Sequence, residues 1–254
     1  MATPRLVAFD LDDTLAPSKS AIDPRIGALL VDLAARVEVA IISGGQLAQF
    51  TTQVVDRLPE ASDDVRARLH LLPTCGTQYY RLTPAGVETV YARTLSDDQK
   101  TRALAAVEEE ARHLGLWASE TWGDILEDRG SQITFSALGQ TAPVDAKMAW
   151  DPTGAKKSAL RDAVAARVPD LEVRSGGSTS VDITERGIDK AYGMRQLSEQ
   201  TGIALDEMLF VGDRLDEAGN DYPVLAMGVA CQAVEGWPDT AAFLEQLIPT
   251  LPLR

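Results

Sequence analysis

The chain has 254 residues, of which 45% are hydrophobic and 24% charged, and its formal net charge is −14. This composition predicts a globular protein with a sizeable core, and the acidic balance excludes a general nucleic-acid binder, because such proteins need a basic surface. Two cysteines exclude a disulfide framework, and no run approaches about 20 apolar residues, so we expect a cytoplasmic protein without a signal peptide or a membrane partner.

The first part of the chain alternates predicted strands and helices. Unbroken apolar runs predict buried strands over 6–10 and 39–42. Between them, Asp23 and Pro24 are typical of a helix start, and the apolar residues that follow keep helical spacing. A second helix is expected over about 47–58. This order predicts a parallel sheet with right-handed crossovers.

The pattern changes at about residue 83. Strands over 79–82 and 87–91 form a predicted hairpin, and Ser96 is expected to cap a helix that ends near Gly115. The rest of this segment predicts strands over 125–127, 132–137, 171–174 and 179–183 and a helix over 155–168. Residues 132–136 alternate polar and apolar side chains, which is typical of a half-buried antiparallel strand.

The α/β pattern returns at Asp189, with a predicted helix to about residue 200 and strands over 208–211 and near 227–231. A helix over 240–248 closes the chain. The predicted fold class is therefore α/β, with a Rossmann-like core over 1–82 and 188–254 and an inserted α+β domain over 83–187.

Two predicted core strands are followed by segments rich in acidic and polar side chains: Asp10, Asp12 and Thr14 after the first strand, and Asp213, Asn220 and Asp221 after the strand over 208–211. The carboxyl ends of parallel strands meet at one edge of a sheet, where open α/β folds bind ligands. Each segment taken singly could be an acidic surface turn. Their combination favours a catalytic site.

These residue types predict phosphoryl transfer through a covalent intermediate. Asp10 is the predicted nucleophile, because a carboxylate is ionised at neutral pH and forms a reactive acyl phosphate. Asp12 is predicted to protonate the leaving oxygen and then to activate water or a hydroxyl. Lys190 would neutralise Asp10 and the phosphate, although an isolated lysine is usually a surface residue.

The remaining predicted ligands of the phosphate and of a metal come from several segments. Thr14 can hydrogen-bond a carboxylate or phosphate oxygen, and Ser43 with Gly44 can cradle a phosphate at a helix start. Ser43 could equally be a helix cap. Oxygen ligands suit Mg²⁺, and we expect it to be held by Asp10, the backbone carbonyl of Asp12 and Asp213, with support from Asn220 and Asp221.

Together these segments resemble the four motifs of the haloacid dehalogenase (HAD) superfamily of phosphotransferases. A closer resemblance, to the eukaryotic-type phosphomannomutases, is carried by LEDRG over 126–130, GGSTSVDI over 176–183, GIDK over 187–190 and the GD and GND of 212–221. Sucrose-phosphate phosphatases and Cof-type sugar phosphatases share the architecture more loosely. The closer resemblance implies that residues 83–187 are a C2-type cap that binds the sugar or its distal phosphate. It implies substrate contacts for Arg129, Ser180 and Asp182, and it suggests a homodimer formed through the cap.

The sequence departs from this family where the resemblance places two further arginines. Gln140 is uncharged, and Lys147 keeps a charge but loses the bidentate fork of arginine. A mutase must hold a bisphosphate intermediate and exclude water, so weaker phosphate binding favours hydrolysis. Arg174 or Arg186 could restore the missing charge, which keeps a mutase open.

We therefore expect an Mg²⁺-dependent phosphohydrolase that acts on a sugar phosphate or similar small phosphoester through an aspartyl phosphate. The first alternative is a phosphomannomutase or phosphohexomutase that interconverts hexose 1- and 6-phosphates. The second is a phosphosugar-binding module without catalysis, which the presence of Asp10, Asp12, Lys190 and Asp213 disfavours.

Overall fold

The computed structural model of the protein describes residues 3–253. Residues 1–2 and 254, which belong to the predicted start and end of the core, lie outside the described residues. The chain divides into two compact units, Met1–Ala92 with Asp189–Arg254, and Arg93–Ile188. Within 3–253, none of the helices combines the length and apolar character that crossing a bilayer requires.

The strands and helices are numbered in chain order. The strands are β1 (Leu6–Phe9), β2 (Glu38–Ile42), β3 (Leu69–Leu72), β4 (Gln78–Thr83), β5 (Gly86–Ala92), β6 (Leu126–Asp128), β7 (Gln132–Ser136), β8 (Leu171–Ser175), β9 (Ser180–Glu185), β10 (Met208–Gly212) and β11 (Ala230–Ala233). The helices are α1 (Pro24–Ala34), α2 (Leu47–Gln53), α3 (Asp63–Arg66), α4 (Asp97–His113), α5 (Val144–Trp150), α6 (Ala155–Arg167), α7 (Lys190–Thr201), α8 (Tyr222–Ala226) and α9 (Trp237–Leu247).

The first unit contains a sheet of order β11-β10-β1-β2-β3-β4-β5. Its first five strands are parallel, and β4 and β5 are antiparallel additions at one edge. Val7 and Phe9 of β1 face one apolar cluster with α1 and α9, whereas Leu6 and Ala8 face another with α7 and α8. Both faces are covered, which is why the strand sequence is continuously apolar.

The boundary of the inserted segment lies later in the chain than predicted, because the edge strand β5 belongs to the first sheet. The sequence places that boundary at residue 83, but β5 pairs with β4 in the first sheet, and the second unit begins at Arg93. The physical reason is that the tight turn between Thr83 and Gly86 returns the chain to the same sheet, so the chain leaves this sheet only after Ala92.

The second unit is an antiparallel sheet of order β6-β7-β9-β8, and α4 and α6 supply helix residues to its apolar core. Helix α4 begins with a capping box, in which the Ser96 hydroxyl accepts from the Gln99 backbone N–H and the Gln99 side chain accepts from the Ser96 N–H. Ile133 and Phe135 of β7 pack with Leu160 and Val164 of α6 in this core.

Strand β7 is buried along its whole length, so the predicted half-buried pattern is wrong in this respect. Its polar side chains are accommodated by hydrogen bonds. Gln132 Nε2 donates to Thr134 Oγ1 at 2.8 Å, and Thr134 Oγ1 donates to Asp182 Oδ1 at 2.8 Å. Such pairing offsets most of the cost of burying polar groups.

Candidate active site

The two acidic segments of the first unit start from neighbouring strands. Strands β1 and β10 are parallel, with Phe9 beside Val211, and the Asp10 backbone N–H donates to the Val211 carbonyl oxygen at 3.0 Å. Asp10 and Asp213 therefore leave the sheet at the carboxyl ends of adjacent strands. This is the arrangement that the apolar runs before each aspartate predict.

Lys190 is the first residue of α7 and is 1% exposed. Its Nζ lies 2.7 Å from Asp10 Oδ1 and 2.5 Å from Asp221 Oδ1. The helix start is fixed by Asp189, whose side chain accepts from the Tyr192 backbone N–H at 2.8 Å. The lysine is thus a buried cation between two buried carboxylates, and not a surface residue.

A third carboxylate completes an acidic cluster. Asp10, Asp213 and Asp221 each offer an oxygen within 4.8 Å of the others, and Thr14 Oγ1 donates to Asp213 Oδ1 at 3.0 Å. With Lys190 as the partner cation, the three carboxylates leave a formal charge of −2. An all-oxygen donor set with excess negative charge fits a hard divalent cation such as Mg²⁺.

The pKa values of the two aspartates reflect their burial first and this charge excess second. Burial raises the pKa of Asp10 well above its usual range; Lys190 opposes this, and Asp221 and Asp213 add to it. Burial likewise raises the pKa of Asp213, with a further contribution from Asp221. Burial alone would lower the pKa of Lys190, but the carboxylates of Asp10 and Asp221 outweigh it and hold that pKa above its usual value.

Asp221 is held by the loop that follows β10. Its Oδ2 accepts from the Arg214 backbone N–H at 3.0 Å, and the carboxylate packs against Gly212. A Cβ at Gly212 would lie 2.4 Å from Asp221 Oδ2, so only glycine leaves room for this carboxylate. The neighbouring Asn220 is exposed, and its predicted part in metal binding stays a prediction.

Asp12 is half-buried, and both of its carboxylate oxygens are hydrogen-bonded. Oδ1 accepts from the Lys19 backbone N–H at 2.6 Å, and Oδ2 accepts from Gln49 Nε2 at 3.1 Å. Gln49 could not be found from the sequence, because a contact between α2 and the loop after β1 has no local sequence signal. The predicted metal contact of Asp12 involves its backbone carbonyl and stays a prediction.

The predicted phosphate cradle follows β2, the other neighbour of β1. The Ser43 hydroxyl accepts from the Gly45 backbone N–H at 3.2 Å, and the Ser43 carbonyl accepts from the Cys75 N–H at 2.9 Å. The N-cap of α2 is Gln46, so Ser43 is not the helix cap. Binding of phosphate by Ser43 and Gly44 remains a prediction.

The substrate residues predicted in the second unit lie on or beside its sheet. Ser180 Oγ lies 3.2 Å from Ser136 Oγ, and Asp182 accepts from Thr134. Arg129 Nη2 donates to Glu127 Oε2 at 2.6 Å.

Lys147 and Gln140 join the same group of polar side chains. Lys147 Nζ donates to the Gln140 carbonyl at 3.1 Å, and Gln140 Nε2 donates to Ser136 Oγ at 2.7 Å. Ser180 and Lys147 are therefore connected through Ser136 and Gln140, two residues that carry no predicted ligand contact.

Sequence comparison gives a consistent result across both units. A family model described as eukaryotic phosphomannomutase matches residues 26–250. The phosphomannomutase of Encephalitozoon cuniculi is 24% identical over 222 residues, which cover 85% of this chain and 82% of that protein. Phosphomannomutase 1 of Homo sapiens is 23% identical over 231 residues, covering 87% and 83%. The probable phosphomannomutase of Caenorhabditis elegans is 24% identical over 258 residues, covering 97% and 96%.

Solved structures give the fold. An IMP-bound IMP-nucleotidase of Plasmodium falciparum has a TM-score of 0.71 at 15% identity and covers 98% of this chain and 68% of its own. A haloacid dehalogenase-like hydrolase from Bacteroides thetaiotaomicron has a TM-score of 0.62 at 14% identity, covering 96% and 99%. These similarities confirm the predicted α/β fold class of a HAD core with an inserted domain.

Proposed function

Because the chain belongs to the eukaryotic phosphomannomutase family, we propose that it transfers a phosphoryl group through Asp10 and interconverts the 1- and 6-phosphates of a hexose. Family and fold confirm the predicted resemblance and make the chain an enzyme of the HAD phosphatase and mutase type. The family names favour the mutase, which is the alternative in the sequence analysis, over the hydrolase.

The observation that carries the proposal is the contact of Lys190 Nζ with Asp10 Oδ1 at 2.7 Å. The backbone N–H of Leu11 also donates to Oδ1, at 2.7 Å. Among the described residues, both donors to Asp10 thus contact the same oxygen. Oδ2 remains for attack on phosphorus, while Lys190 balances charge beside it.

The reaction has two steps, transfer of the phosphoryl group to Asp10 and its transfer from Asp10 to a hexose hydroxyl. In the first, an Asp10 carboxylate oxygen forms a bond to phosphorus, the ester P–O bond breaks, and the leaving oxygen keeps the electron pair and takes a proton from Asp12. In the second, a hexose hydroxyl attacks phosphorus, its proton passes to Asp12, and the bond to Asp10 breaks. Asp10 and Asp213 would hold Mg²⁺, with Asp221 in support, and the bound ion would stabilise charge on the phosphoryl oxygens.

Hydrolysis is the second candidate, and a specific observation favours it. Arg129 pairs with Glu127, whereas Lys147 and Arg186 donate to the backbone carbonyls of Gln140 and Pro169. Arg174 lies 3.6 Å from Glu172. The carboxylates beside Arg129 and Arg174 offset the charge of these two arginines. Both arginines would therefore bind a second phosphate less strongly, and a bisphosphate intermediate would escape or be hydrolysed more readily.

We propose that Arg129, Lys147, Ser180 and Asp182 bind the sugar or its distal phosphate. Hydroxyl and carboxylate side chains at Ser180 and Asp182 suit sugar hydroxyls, and Arg129 and Lys147 suit an anion. A homodimer through the second unit and a cytoplasmic location stay predictions. Light scattering of the purified protein tests the dimer.

The deciding experiment is ³¹P NMR of the protein with Mg²⁺ and mannose 6-phosphate, with and without a hexose 1,6-bisphosphate. Formation of the 1-phosphate with little inorganic phosphate supports the mutase, and release of inorganic phosphate supports the hydrolase. Asp10→Asn should abolish both reactions. Asp13→Asn is the matched control, because Asp13 is exposed and asparagine tolerates its positive φ of 64°. Turnover that survives in Asp10→Asn would contradict the aspartyl-phosphate route.

A further inference from the structure

Gln49 is a polar residue of α2 with no part in the mechanism described above, yet it contacts Asp12 directly. Its Nε2 donates to Asp12 Oδ2 at 3.1 Å, while the Lys19 backbone N–H donates to Oδ1 at 2.6 Å. The two oxygens of one carboxylate are thus held by donors from two different parts of the chain.

Both donors are held in place by local structure. Lys19 has a φ of 57°, a left-handed conformation that is uncommon for lysine, and the neighbouring Ser18 N–H donates to Asp13 Oδ1 at 3.1 Å. The Gln49 side chain passes close over Gly45, where a Cβ would lie 2.4 Å from Gln49 Oε1. Glycine at position 45 therefore leaves room for the amide that reaches Asp12.

We propose that Gln49 is a positioning residue that fixes the orientation of the Asp12 carboxyl group for proton transfer to the leaving oxygen. This inference rests on the proposed function, in which Asp12 is the acid–base group. Without the amide, Lys19 N–H holds only one oxygen, and the carboxyl group can rotate about its Cβ–Cγ bond. Fewer molecules then present a proton to the leaving oxygen at the moment the P–O bond breaks.

A residue that positions the acid affects poor and good leaving groups unequally, whereas a purely structural residue does not. A sugar alkoxide is a poor leaving group and needs a proton as it departs, whereas p-nitrophenolate leaves as a stable anion. Loss of Gln49 should therefore slow transfer from an alkyl phosphoester and leave transfer from p-nitrophenyl phosphate nearly unchanged. General acid catalysis contributes about 10²–10⁴-fold, so a partly misoriented acid should lower the alkyl rate by about 10- to 100-fold.

The test compares Gln49→Met, which keeps side-chain length but lacks the donor, with the wild type in Mg²⁺. Single-turnover release of the leaving group is measured with glucose 1,6-bisphosphate and with p-nitrophenyl phosphate, since this reports attack by Asp10 and not the later dephosphorylation. Thr52→Ala is the matched control on α2, because its hydroxyl donates to the Ala48 and Gln49 carbonyls of the same helix. Thermal melts check that each variant folds.

Selective loss of the alkyl reaction in Gln49→Met, with Thr52→Ala like the wild type, supports the inference. An equal fall with both substrates, or no fall with either, overturns it. Asp12→Asn and Asp10→Asn separate this result from the proposed function. Suppose that Asp12→Asn loses only the alkyl reaction and that Asp10→Asn loses both reactions. If Gln49→Met then shows no selective loss of the alkyl reaction, only the positioning role is wrong. Turnover that survives in Asp10→Asn, or Asp12→Asn without selectivity, overturns both.

Discussion

Lys190 lies between the carboxylates of Asp10 and Asp221, and all three residues are almost completely buried. Burying one cation with two anions is tolerable only while the contacts are short, because each ion gives up its hydration. The charge balance of the site therefore depends on the Lys190 side chain. The stability of the folded protein and the activity of the site both depend on this residue.

The variant Lys190→Met should lose both stability and activity. It leaves Asp10 and Asp221 buried without their cation, and breaking such a pair costs about 3–5 kcal/mol. Urea unfolding in metal-free buffer measures the free energy of unfolding, and release of p-nitrophenolate from p-nitrophenyl phosphate in Mg²⁺ measures phosphoryl transfer to Asp10. Lys100→Met is the matched control: Lys100 pairs with Asp128 on the surface, and exposed pairs contribute about 1 kcal/mol or less. Equal losses in the two variants would contradict the buried-pair interpretation.

The sequence predicted the charged residues of the site because they have a local signal. Asp10 directly follows the apolar strand β1, and Asp213 directly follows β10, which ends at Gly212. Lys190 is the first residue of a helix after the cap Asp189. Gln49 has no such signal, since its contact with Asp12 joins residues 37 positions apart. A contact of this kind depends on how α2 packs beside the sheet, which periodicity does not reveal.

Helix α7, which carries Lys190, is positioned by a close approach to the turn after β3. A Cβ at Gly193 would lie 2.9 Å from the Cys75 carbonyl oxygen and 3.0 Å from Ile42 Cγ2. The same turn is joined to the predicted phosphate cradle, because the Thr74 and Cys75 backbone N–H groups donate to the Gly45 and Ser43 carbonyls. The helix and the cradle therefore share one support.

The variant Gly193→Ala tests this close approach through the sign of the change in the free energy of unfolding. Alanine in a helix interior normally stabilises by about 1 kcal/mol relative to glycine, but here the added methyl group must push the turn or the helix away, and overpacking costs about 1–3 kcal/mol. We expect a net loss in the free energy of unfolding, measured in urea, and slower phosphoryl transfer. Gly177→Ala is the control, since nothing lies within 4 Å of its added Cβ. A more stable Gly193→Ala protein would contradict the tight packing.

The elements that the sequence analysis missed are short or lack a pattern. Strand β3 has four residues and contains His70, whose burial depends on hydrogen bonds to Tyr79 at 2.6 Å and Glu38 at 3.0 Å from neighbouring strands. Helix α5 exposes Val144 and Met148, so its apolar residues do not mark a buried face. Helix α8 has only five residues. In contrast, α4 was predicted from its start to its end because its cap Ser96 and the following Gly115 are local signals.

The molecule as a whole carries 14 more negative than positive charges. Three of the carboxylates lie within 4.8 Å of one another. The folded state therefore has local repulsion among these three groups in addition to the repulsion that comes from the net charge of the molecule. A divalent cation that binds there should relieve this repulsion and stabilise the folded state.

Mg²⁺ should therefore raise the melting temperature, and above Kd the shift should grow with the logarithm of the Mg²⁺ concentration. Binding to the folded state alone contributes about 2.7 kcal/mol at a hundredfold excess over Kd, which corresponds to several degrees for a chain of this size. Differential scanning fluorimetry measures the shift, with NaCl at equal ionic strength as the control for screening. Asp213→Asn should melt higher than the wild type without metal and shift less with it. Equal shifts in Mg²⁺ and NaCl would contradict a specific site.

Neighbouring strands β1 and β10 bring together Thr14 and Asp213, which are 199 positions apart. Translation proceeds at about 5–20 residues per second, so the first acidic segment leaves the ribosome roughly 10–40 s before the second. The continuous unit Arg93–Ile188 is made during that interval, but β1 has no β10 partner until Met208–Gly212 has been made. Nascent chains that stop before β10 therefore lack the acidic cluster of Asp10, Asp213 and Asp221, and formation of the sheet of the first unit is limited by contacts of high sequence separation.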